Sequence, residues 1–269
     1  MAPGQFRLPK DIPLEEYPKP ETYLEEAKRL VAEAEKRRLI LRVMGPIALH
    51  LHFPAHVDLY RRMERLGDRV FTDIDYAAYG KHRSKMIGFF ESQGYAVEKR
   101  ALMLSGGERH IYYGETIPMI DVFFDRLSYN HPIEFRGRLE MHGVCLSLSD
   151  LLLQKLQIVQ INDKDLKDAL LLLLAAQVGE SDHEMINVRY VAGLMAEDWG
   201  FCHTATTNLE KVKAAAADVR VLEDSHRTRI RQNAEAILQA IQEAPKSKRW
   251  RSRAAIGTCK PWYNEVTDW

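Results

Sequence analysis

Asp73 and Asp75 are separated by one residue in the segment TDIDYAAY at 72–79. In a strand, residues i and i+2 point to the same face of the sheet, so the two carboxylates would lie side by side and repel each other. A divalent cation relieves that repulsion, and magnesium is satisfied by one or two carboxylates together with phosphate oxygens and water. The alternative is a strand that starts with two solvated acids, and the pair alone does not decide between them.

A third carboxylate, Asp121, lies within the otherwise apolar segment IPMIDVFFD at 117–125. An uncompensated carboxylate in such a strand is costly to bury. If this strand pairs with the one that carries Asp73 and Asp75, three carboxylates meet and can hold two metal ions about 3.5–4 Å apart. Asp125 competes for the third place because it falls on the same strand face, but it marks the end of the segment.

Gly45 closes the apolar segment LILRVMG at 39–45, which is typical of a buried strand, and a short helical segment follows. Glycine lets the backbone approach a phosphate closely, and a helix N-terminus offers unpaired N–H groups to it. The next residue, Pro46, has neither an N–H nor a hydroxyl to offer a phosphate, although it can occupy the first helical turn. A phosphate site at Gly45 and Pro46 is compatible with this arrangement, but a strand, a glycine and a helix in this order are common and do not by themselves establish one.

The segments that must position these residues change in character near residue 145. Before it, helical and strand patterns alternate, and Gly94 closes an amphipathic helix. After it, almost every segment up to residue 242 is helical, and Ser147 and Asn162 stand at predicted helix starts, each followed three residues later by an aspartate. The predicted strands are 39–45, 72–79, 117–125 and a hairpin of 96–104 and 108–114 about Ser105-Gly106-Gly107. The predicted helices are 21–38, a short segment with Ala48 and Leu49, 56–66, 81–95, the segments opening at Ser147 and Asn162, 184–197, 206–219 and 222–243.

These patterns predict an α+β protein with a small mixed sheet flanked by helices, followed by an all-helical C-terminal region. Four segments are expected along the chain. They are an extended proline-rich arm at 1–20, an α/β domain at 21–145, a helical domain at 146–244 and a basic aromatic tail at 245–269.

The order of these motifs resembles the nucleotidyltransferase superfamily, whose polymerase-beta-like core has a strand ending in Gly-Gly or Gly-Ser, a helix, Asp-x-Asp and a third Asp on a later strand. The sequence looks most like the bacterial branch of aminoglycoside and lincosamide nucleotidyltransferases and the nucleotidyltransferase toxins of abortive-infection systems. The resemblance covers about residues 38–175, and Pro46 departs from the family pattern. The matching segments are Gly45-Pro46-Ile47-Ala48-Leu49, Thr72-Asp73-Ile74-Asp75 and Ile120-Asp121-Val122.

In that branch a Leu-rich segment with a lysine, and then an acidic pair, follow the core. Lys155 is therefore a candidate nucleotide-binding residue, since lysine contacts phosphate as a point charge. The alternatives are a solvated surface lysine or a salt bridge to Asp165 or Asp168, and the sequence leaves them open. The corresponding segments here are Asp150-Leu151-Leu152-Leu153-Gln154-Lys155-Leu156 and Lys164-Asp165-Leu166-Lys167-Asp168.

The resemblance implies transfer of a nucleoside monophosphate from a triphosphate to an acceptor hydroxyl, with release of pyrophosphate. Mg²⁺ is the implied cofactor, with Asp73, Asp75 and Asp121 as its ligands, and Asp121 would also help to deprotonate the acceptor. The nucleoside triphosphate is one expected partner, the acceptor is not identified, and a protein partner is left open. The alternative is a nucleotide-binding or regulatory protein that keeps the fold without turnover, which Pro46 favours.

Lys+Arg and Asp+Glu each number 38, so the formal net charge is zero. No global attraction to nucleic acid or to an anionic membrane follows, and neither is expected as a partner. The three cysteines are far apart, which argues against a zinc knuckle or a disulfide framework. The N-terminus lacks an apolar signal core, and the most apolar run, LLLLAAQV at 171–178, is too short to cross a bilayer. We expect a soluble, cytoplasmic protein.

Three further groups have both a functional and a structural interpretation. His50, His52 and His56 suggest a metal cluster, but Pro54 interrupts them and prevents one shared helix face, so no zinc site is expected. The basic residues around the Asp pair could receive a triphosphate or form a solvated surface. The aromatic tail is expected to pack on its own domain rather than to bind nucleic acid. The basic residues in question are Arg69, Lys81, His82, Arg83 and Lys85.

Overall fold

The computed structural model describes residues 9–68 and 70–266 of the chain. Its contacts divide the chain into two compact units. The first unit comprises Met1–Pro54, Leu66–Leu127 and Glu134–Leu146, and the second comprises Ala55–Arg65, Ser128–Ile133 and Ser147–Trp269. Each unit is therefore assembled from segments that are not contiguous in the sequence.

The protein is a mixed α+β structure, as the sequence predicts. Its α-helices within the described residues are α1 (Pro20–Lys36), α2 (Gly45–His52), α3 (Val57–Arg62), α4 (Arg83–Ser92), α5 (Lys99–Ser105), α6 (Leu148–Leu156), α7 (Asp163–Ala175), α8 (Val188–Glu197), α9 (Trp199–Asp218), α10 (Asp224–Glu243) and α11 (Lys248–Ala254). Its strands are β1 (Leu41–Met44), β2 (Arg65–Asp68), β3 (Ile74–Ala78), β4 (Ala96–Val97), β5 (Arg109–Tyr113), β6 (Met119–Phe124), β7 (Arg126–Leu127), β8 (Ile133–Glu134), β9 (Gln177–Gly179) and β10 (Met185–Asn187).

The first unit is built on a five-stranded sheet in the order β1-β3-β6-β5-β4. Strands β3 and β6 are parallel, and the other neighbouring pairs are antiparallel, so the sheet is mixed. One face is buried under α1 and α4: the Tyr76 hydroxyl donates to the Ala27 carbonyl at 3.2 Å, and Phe90 stacks on Tyr112 with 4.2 Å between ring centroids. The opposite face carries Asp75 and Asp121, because side chains alternate along a strand.

Helix ends follow the capping residues that the sequence indicates. Gly94, with a φ of 88°, ends α4, and its N–H donates to Glu91 while the next N–H donates to Phe90. These two bonds form a Schellman motif, for which a left-handed glycine is suited. The Ser147 hydroxyl accepts the Asp150 N–H at 3.2 Å, and the Asn162 side chain accepts the Asp165 N–H at 3.1 Å, which confirms both predicted starts.

The predicted hairpin about Ser105-Gly106-Gly107 is wrong. The second predicted arm, 108–114, is present as β5, but of the first arm, 96–104, only Ala96–Val97 is a strand, because the Glu98 carboxylate caps a helix by accepting the Ala101 N–H. The residues of α5 (KRALMLS) include strong helix formers, so local propensity favours the helix once it is capped. β4 still pairs antiparallel with β5, but α5 lies between them in the sequence.

The second half of the chain is also less uniformly helical than predicted. Strands β9 and β10 form a small parallel sheet, and the helix expected at 184–197 begins only at Val188, where the Asn187 side chain caps it. The helix expected at 206–219 begins earlier, at Trp199, because the Asp198 carboxylate accepts the Phe201 N–H at 3.0 Å. No helix among the described residues is long and apolar enough to span a membrane.

The predicted extended arm at 1–20 is only partly described. From Pro9 onward it contains two 3-10 turns, Pro9–Asp11 and Leu14–Glu16, instead of extended chain, and Ile12 is buried. The residues before Pro9 lie outside the described part of the chain.

Candidate functional site

Asp75 and Asp121 are direct neighbours on parallel strands. The register pairs Ile74 with Ile120 and Asp75 with Asp121, so both carboxylates leave the same face of the sheet. Asp73 lies immediately before β3, two residues from Asp75, and both of these side chains are half-exposed. We call Asp73, Asp75 and Asp121 the aspartate row. The predicted juxtaposition of the strands that carry them is confirmed.

Asp121 is buried, with a relative exposure of 2%. Burial raises its pKa, Arg109 opposes that rise, and the negative charge of Asp73 adds to it. The influence of Asp73 on Asp121 is the like-charge repulsion that the sequence implies. A cation placed among these carboxylates would relieve it.

Arg109 engages Asp121 through two charge-assisted hydrogen bonds. Its Nε donates to Oδ1 at 2.6 Å, and its Nη2 donates to Oδ2. Arg109 lies on β5 opposite Phe123, and its guanidinium sits 5.3 Å above the centre of that ring. This ion pair explains how a carboxylate can be buried within an apolar strand. A ligand role for Asp121 stays a prediction.

Among the described residues, no three His, Cys, Asp or Glu side chains are arranged to hold a metal ion. The aspartate row therefore brings three carboxylates to one face without directing all of them at one point. Magnesium needs only one or two carboxylates when phosphate oxygens and water complete its octahedron. Asp73 and Asp75 fit that requirement, whereas Asp121 would first have to turn away from Arg109.

Asp125 does not share the site with Asp121. Strand β6 ends at Phe124, and Asp125 adopts a left-handed backbone with a φ of 62°. Its carboxylate accepts the Gly80 N–H at 2.9 Å and lies 4.0 Å from Nη2 of Arg83. The interpretation of Asp125 as a strand end is confirmed.

Gly45 begins α2 directly beside Asp75. Its φ is 66°, and a Cβ placed on it would lie 2.8 Å from Oδ2 of Asp75. The left-handed backbone favours glycine here, and any Cβ would also displace the Asp75 carboxylate. Pro46 follows in the first turn of α2, and its carbonyl accepts a hydrogen bond from Nδ1 of His50 at 3.1 Å. The predicted strand–glycine–helix arrangement is present, and phosphate binding by Gly45 and Pro46 stays a prediction.

Lys155 lies in a buried group of charges in the second unit. Its Nζ is 2.8 Å from Asp165 Oδ1 and 2.8 Å from Asp168 Oδ2. Arg65 also donates to Asp168, with Nε 2.6 Å from Oδ1 and Nη2 3.0 Å from Oδ2, and the Tyr60 hydroxyl donates to the same carboxylate. We call Tyr60, Arg65, Lys155, Asp165 and Asp168 the buried ion cluster.

The charges in the buried ion cluster stabilise one another. Burial opposes ionisation of Asp168, but Lys155 and Arg65 outweigh it and hold the pKa of this carboxyl below its usual value. Burial likewise disfavours the Lys155 ammonium, but Asp168 and Asp165 raise its pKa. The structure thus shows the salt bridge that the sequence left open for Lys155, and its contact with a nucleotide stays a prediction.

The histidines, the aromatic tail and the basic residues near the Asp pair were the remaining groups of interest in the sequence. His50, His52 and His56 belong to no group of three candidate metal ligands among the described residues. The Trp262 indole donates to Thr204 at 3.2 Å, so the tail packs on its own unit as expected. Lys81 lies 5.2 Å over the Tyr79 ring, whereas Arg69 lies outside the described residues.

Sequence reasoning missed Arg109, Arg65 and Tyr60. Arg109 could be assigned only once the sheet register was known, because it lies two residues before Ile111, the residue that this register places beside Asp121. Arg65 and Tyr60 carry no sequence signal, because they meet Asp168 from more than 100 residues away in the sequence.

No protein-family model matches the chain, and neither does any curated protein. Among solved structures, the chain is similar to the antibiotic-resistance factor ANT(2'')-Ia, an aminoglycoside nucleotidyltransferase whose solution structure is described as revealing substrate-regulated conformation dynamics. The identity is 15% and the TM-score is 0.37, over 65% of this chain and 94% of that chain. At this identity and TM-score, the similarity does not assign a function, which must be inferred from the residues of the site.

Proposed function

We propose that the chain is a magnesium-dependent nucleotidyltransferase that moves a nucleoside monophosphate from a triphosphate to an acceptor hydroxyl. The observation that carries the proposal is the register of Asp75 with Asp121 on parallel strands, where burial raises the pKa of Asp121 and the nearby charge of Asp73 adds to that rise. Like charges gathered on one partly open sheet face suit a cation and the phosphates that it accompanies.

Asp73 and Asp75 would hold magnesium together with phosphate oxygens of the substrate. When bound, the ion would neutralise charge on the triphosphate and orient it for displacement. Gly45 would let the start of α2 approach the phosphates, because it places backbone rather than a side chain beside Asp75. Most of the rate enhancement would come from positioning and charge neutralisation.

Asp121 would accept the proton of the acceptor hydroxyl as its oxygen attacks the α-phosphorus and pyrophosphate leaves. Its raised pKa suits a group that must take up a proton. Arg109 holds Asp121 in place, so acceptor binding would have to weaken this ion pair before the carboxylate could act as a base.

The test measures pyrophosphate release with each of the four ribonucleoside triphosphates, magnesium and a panel of hydroxyl acceptors. We expect release by the unmodified protein and its collapse in Asp121→Asn, which preserves the shape of the side chain. Asp125→Asn is the matched control, because Asp125 lies four residues further on and outside the aspartate row. Equal release by both variants would contradict the proposed role of Asp121.

A second candidate function is a nucleotide-binding protein without turnover. The Arg109–Asp121 ion pair favours it, because it occupies the carboxylate that catalysis needs. Pro46 favours it too, since it offers no hydrogen-bond donor to a phosphate. Magnesium-dependent triphosphate binding with no pyrophosphate release over the whole acceptor panel would select this function.

A further inference from the structure

The segment between Glu243 and Glu265 is strongly basic, although the whole chain has no net charge. It contains six cationic residues and no aspartate or glutamate. No ion pair in the described part of the chain involves any of the six. They are Lys246, Lys248, Arg249, Arg251, Arg253 and Lys260. The charge balance of the chain as a whole therefore conceals a local positive surface.

This segment borders a cavity of about 480 Å³ within the second unit. Three of the four tryptophans of the chain contribute to its wall, together with one tyrosine. These residues are Trp199, Trp250, Trp262 and Tyr263. Trp199 already stacks on His203, with 5.2 Å between ring centroids, and lies under Arg253, so a planar aromatic group such as a nucleobase would stack on Trp262 or Tyr263.

Two arginines bring positive charge to the mouth of the cavity. Arg249 is exposed, and Arg253 lies 5.0 Å over the Trp199 ring while it donates to the Gly257 and Lys260 carbonyls. Acids are present too: Glu197 and Asp198 line the cavity, and the Asp198 carboxylate already accepts the Phe201 N–H at the start of α9. Carboxylates can accept hydrogen bonds from the amino groups of bases, as they do from cytosine.

The positive charge continues outside the cavity. Lys248 and Arg251 are exposed on α11, and Lys260 is exposed beyond it, but none of the three lines the cavity. A single nucleotide would leave these cations unused. A ligand with regularly spaced phosphates would reach them while one of its bases entered the cavity.

We propose that this basic aromatic surface binds single-stranded nucleic acid. One base would stack on the aromatic wall, and the sugar-phosphate backbone would follow α11. An unpaired strand fits because a base must leave its stack to enter such a cavity, which a duplex resists. The proposal does not depend on nucleotidyl transfer by the first unit.

The binding test uses the full chain and a fluorescein-labelled RNA of about 12 nucleotides and mixed sequence, a length within the range that single-strand-binding folds cover. Four exposed cations on phosphates predict affinity about 50-fold weaker at 200 mM than at 50 mM salt. Tryptophan fluorescence should fall on binding, because three of the four tryptophans line the cavity. A matched single-stranded DNA should bind with a similar salt dependence, and a duplex should bind more weakly.

Two sets of variants separate charge from stacking. Arg249→Ala with Arg251→Ala should lower the magnitude of the salt slope by about 1.4, since two phosphate contacts are lost. The matched control is Lys211→Ala with Arg231→Ala, which removes two exposed cations from α9 and α10 and should change nothing. Tyr263→Leu should weaken binding at least about fivefold, while Tyr263→Phe keeps the ring and the affinity.

Three outcomes would overturn the proposal. One is no binding of single strands at 50 mM salt by a protein with an unchanged melting temperature. Another is an affinity for heparin equal to that for the RNA, together with no effect of Tyr263→Leu on RNA binding. That result would show that the surface binds polyanions in general. The third is binding to vesicles with one-third phosphatidylserine that exceeds binding to RNA, which would assign the surface to membranes.

Discussion

The carboxylates of the aspartate row and those of the buried ion cluster differ in the charges that surround them and in their exposure to solvent. In the cluster, Asp165 and Asp168 face Lys155 and Arg65, and all four side chains are at most 11% exposed. In the row, burial raises the pKa of Asp121 and the charge of Asp73 adds to that rise, so like charges lie together on a face where Asp73 and Asp75 stay half-exposed. A closed group of opposite charges stabilises a fold, whereas carboxylates gathered on a more accessible face are suited to a ligand of opposite charge.

The largest expected effect separates the two sites by their need for metal. Asp73→Asn with Asp75→Asn should abolish magnesium-dependent binding of triphosphate, because both proposed ligands lose their charge. Isothermal titration with magnesium and ATP measures this. Asp165→Asn is the matched comparison, and it should leave the magnesium dependence intact. Equal binding by the double variant and the unmodified protein would remove the metal site.

The next effect concerns stability. Lys155→Met should cost about 3–5 kcal/mol of unfolding free energy, because two buried carboxylates lose a partner. Arg189→Met breaks the exposed Arg189–Glu180 pair of the same unit and should cost less than about 1 kcal/mol. Urea denaturation followed by circular dichroism compares the two. Similar small losses would show that the cluster contributes no more than a surface pair.

Gly45→Ala tests how closely the backbone and the aspartate row must approach. The left-handed φ and the contact with Asp75 should together cost about 1–3 kcal/mol. Gly143→Ala is the control, because a Cβ there meets nothing within 4 Å. If both variants melt at the temperature of the unmodified protein, the tight fit at Gly45 is wrong.

Pro46→Ser should have a smaller effect, confined to ligand binding. A hydroxyl and an N–H at this position should tighten triphosphate binding about fivefold, equivalent to about 1 kcal/mol for one added hydrogen bond. Titration calorimetry at a fixed magnesium concentration gives the ratio. Weaker binding would instead make Pro46 a positive part of this site.

The smallest expected effect is a difference in pH dependence. The pKa of Asp168 is lowered from its ordinary value of 3.8, so its stabilising contribution is present at neutral pH and is lost as the pH falls through its folded-state pKa. The pKa of Asp121 is raised, so its contribution is present below pH 3.8 and is lost as the pH rises through its folded-state pKa. Relative to the unmodified protein, the urea midpoint of Asp168→Asn should therefore be lowered most at neutral pH. The urea midpoint of Asp121→Asn should be lowered most at the acidic end of a series between pH 3 and 7.

Local patterns predict much of this molecule, including its candidate site. The capped starts of α6 and α7, the glycine that ends α4 and the strand that carries Asp121 all depend on residues within a few positions of each other. Such features are set by backbone geometry that a sequence expresses directly. The failed hairpin is instructive because it was also local: a glutamate cap at Glu98 outweighed the turn-like Ser105-Gly106-Gly107.

Partners that meet through tertiary packing were not predictable in the same way. Arg109 and Asp121 are 12 residues apart, on antiparallel neighbours whose register had to be known first. Lys155 could be assigned two candidate acids, because Asp165 and Asp168 follow it closely, but Arg65 and Tyr60 could not be assigned. The sequence therefore indicated which carboxylate-bearing strands would meet and left the cationic partners of the carboxylates undetermined.

The link between Arg65 and Asp168 also constrains how the protein can be made. The two residues are 103 positions apart, so Asp168 leaves the ribosome long after Arg65 has been synthesised. Because protein synthesis proceeds from the N-terminus, the second unit must keep its early segment available until α7 appears. A truncated gene that begins at Ser147 would encode α7 without Arg65 and Tyr60, leaving Asp168 with Lys155 alone. Dissection of this protein by a single cut in the gene would therefore remove part of the charge balance that its helical unit requires.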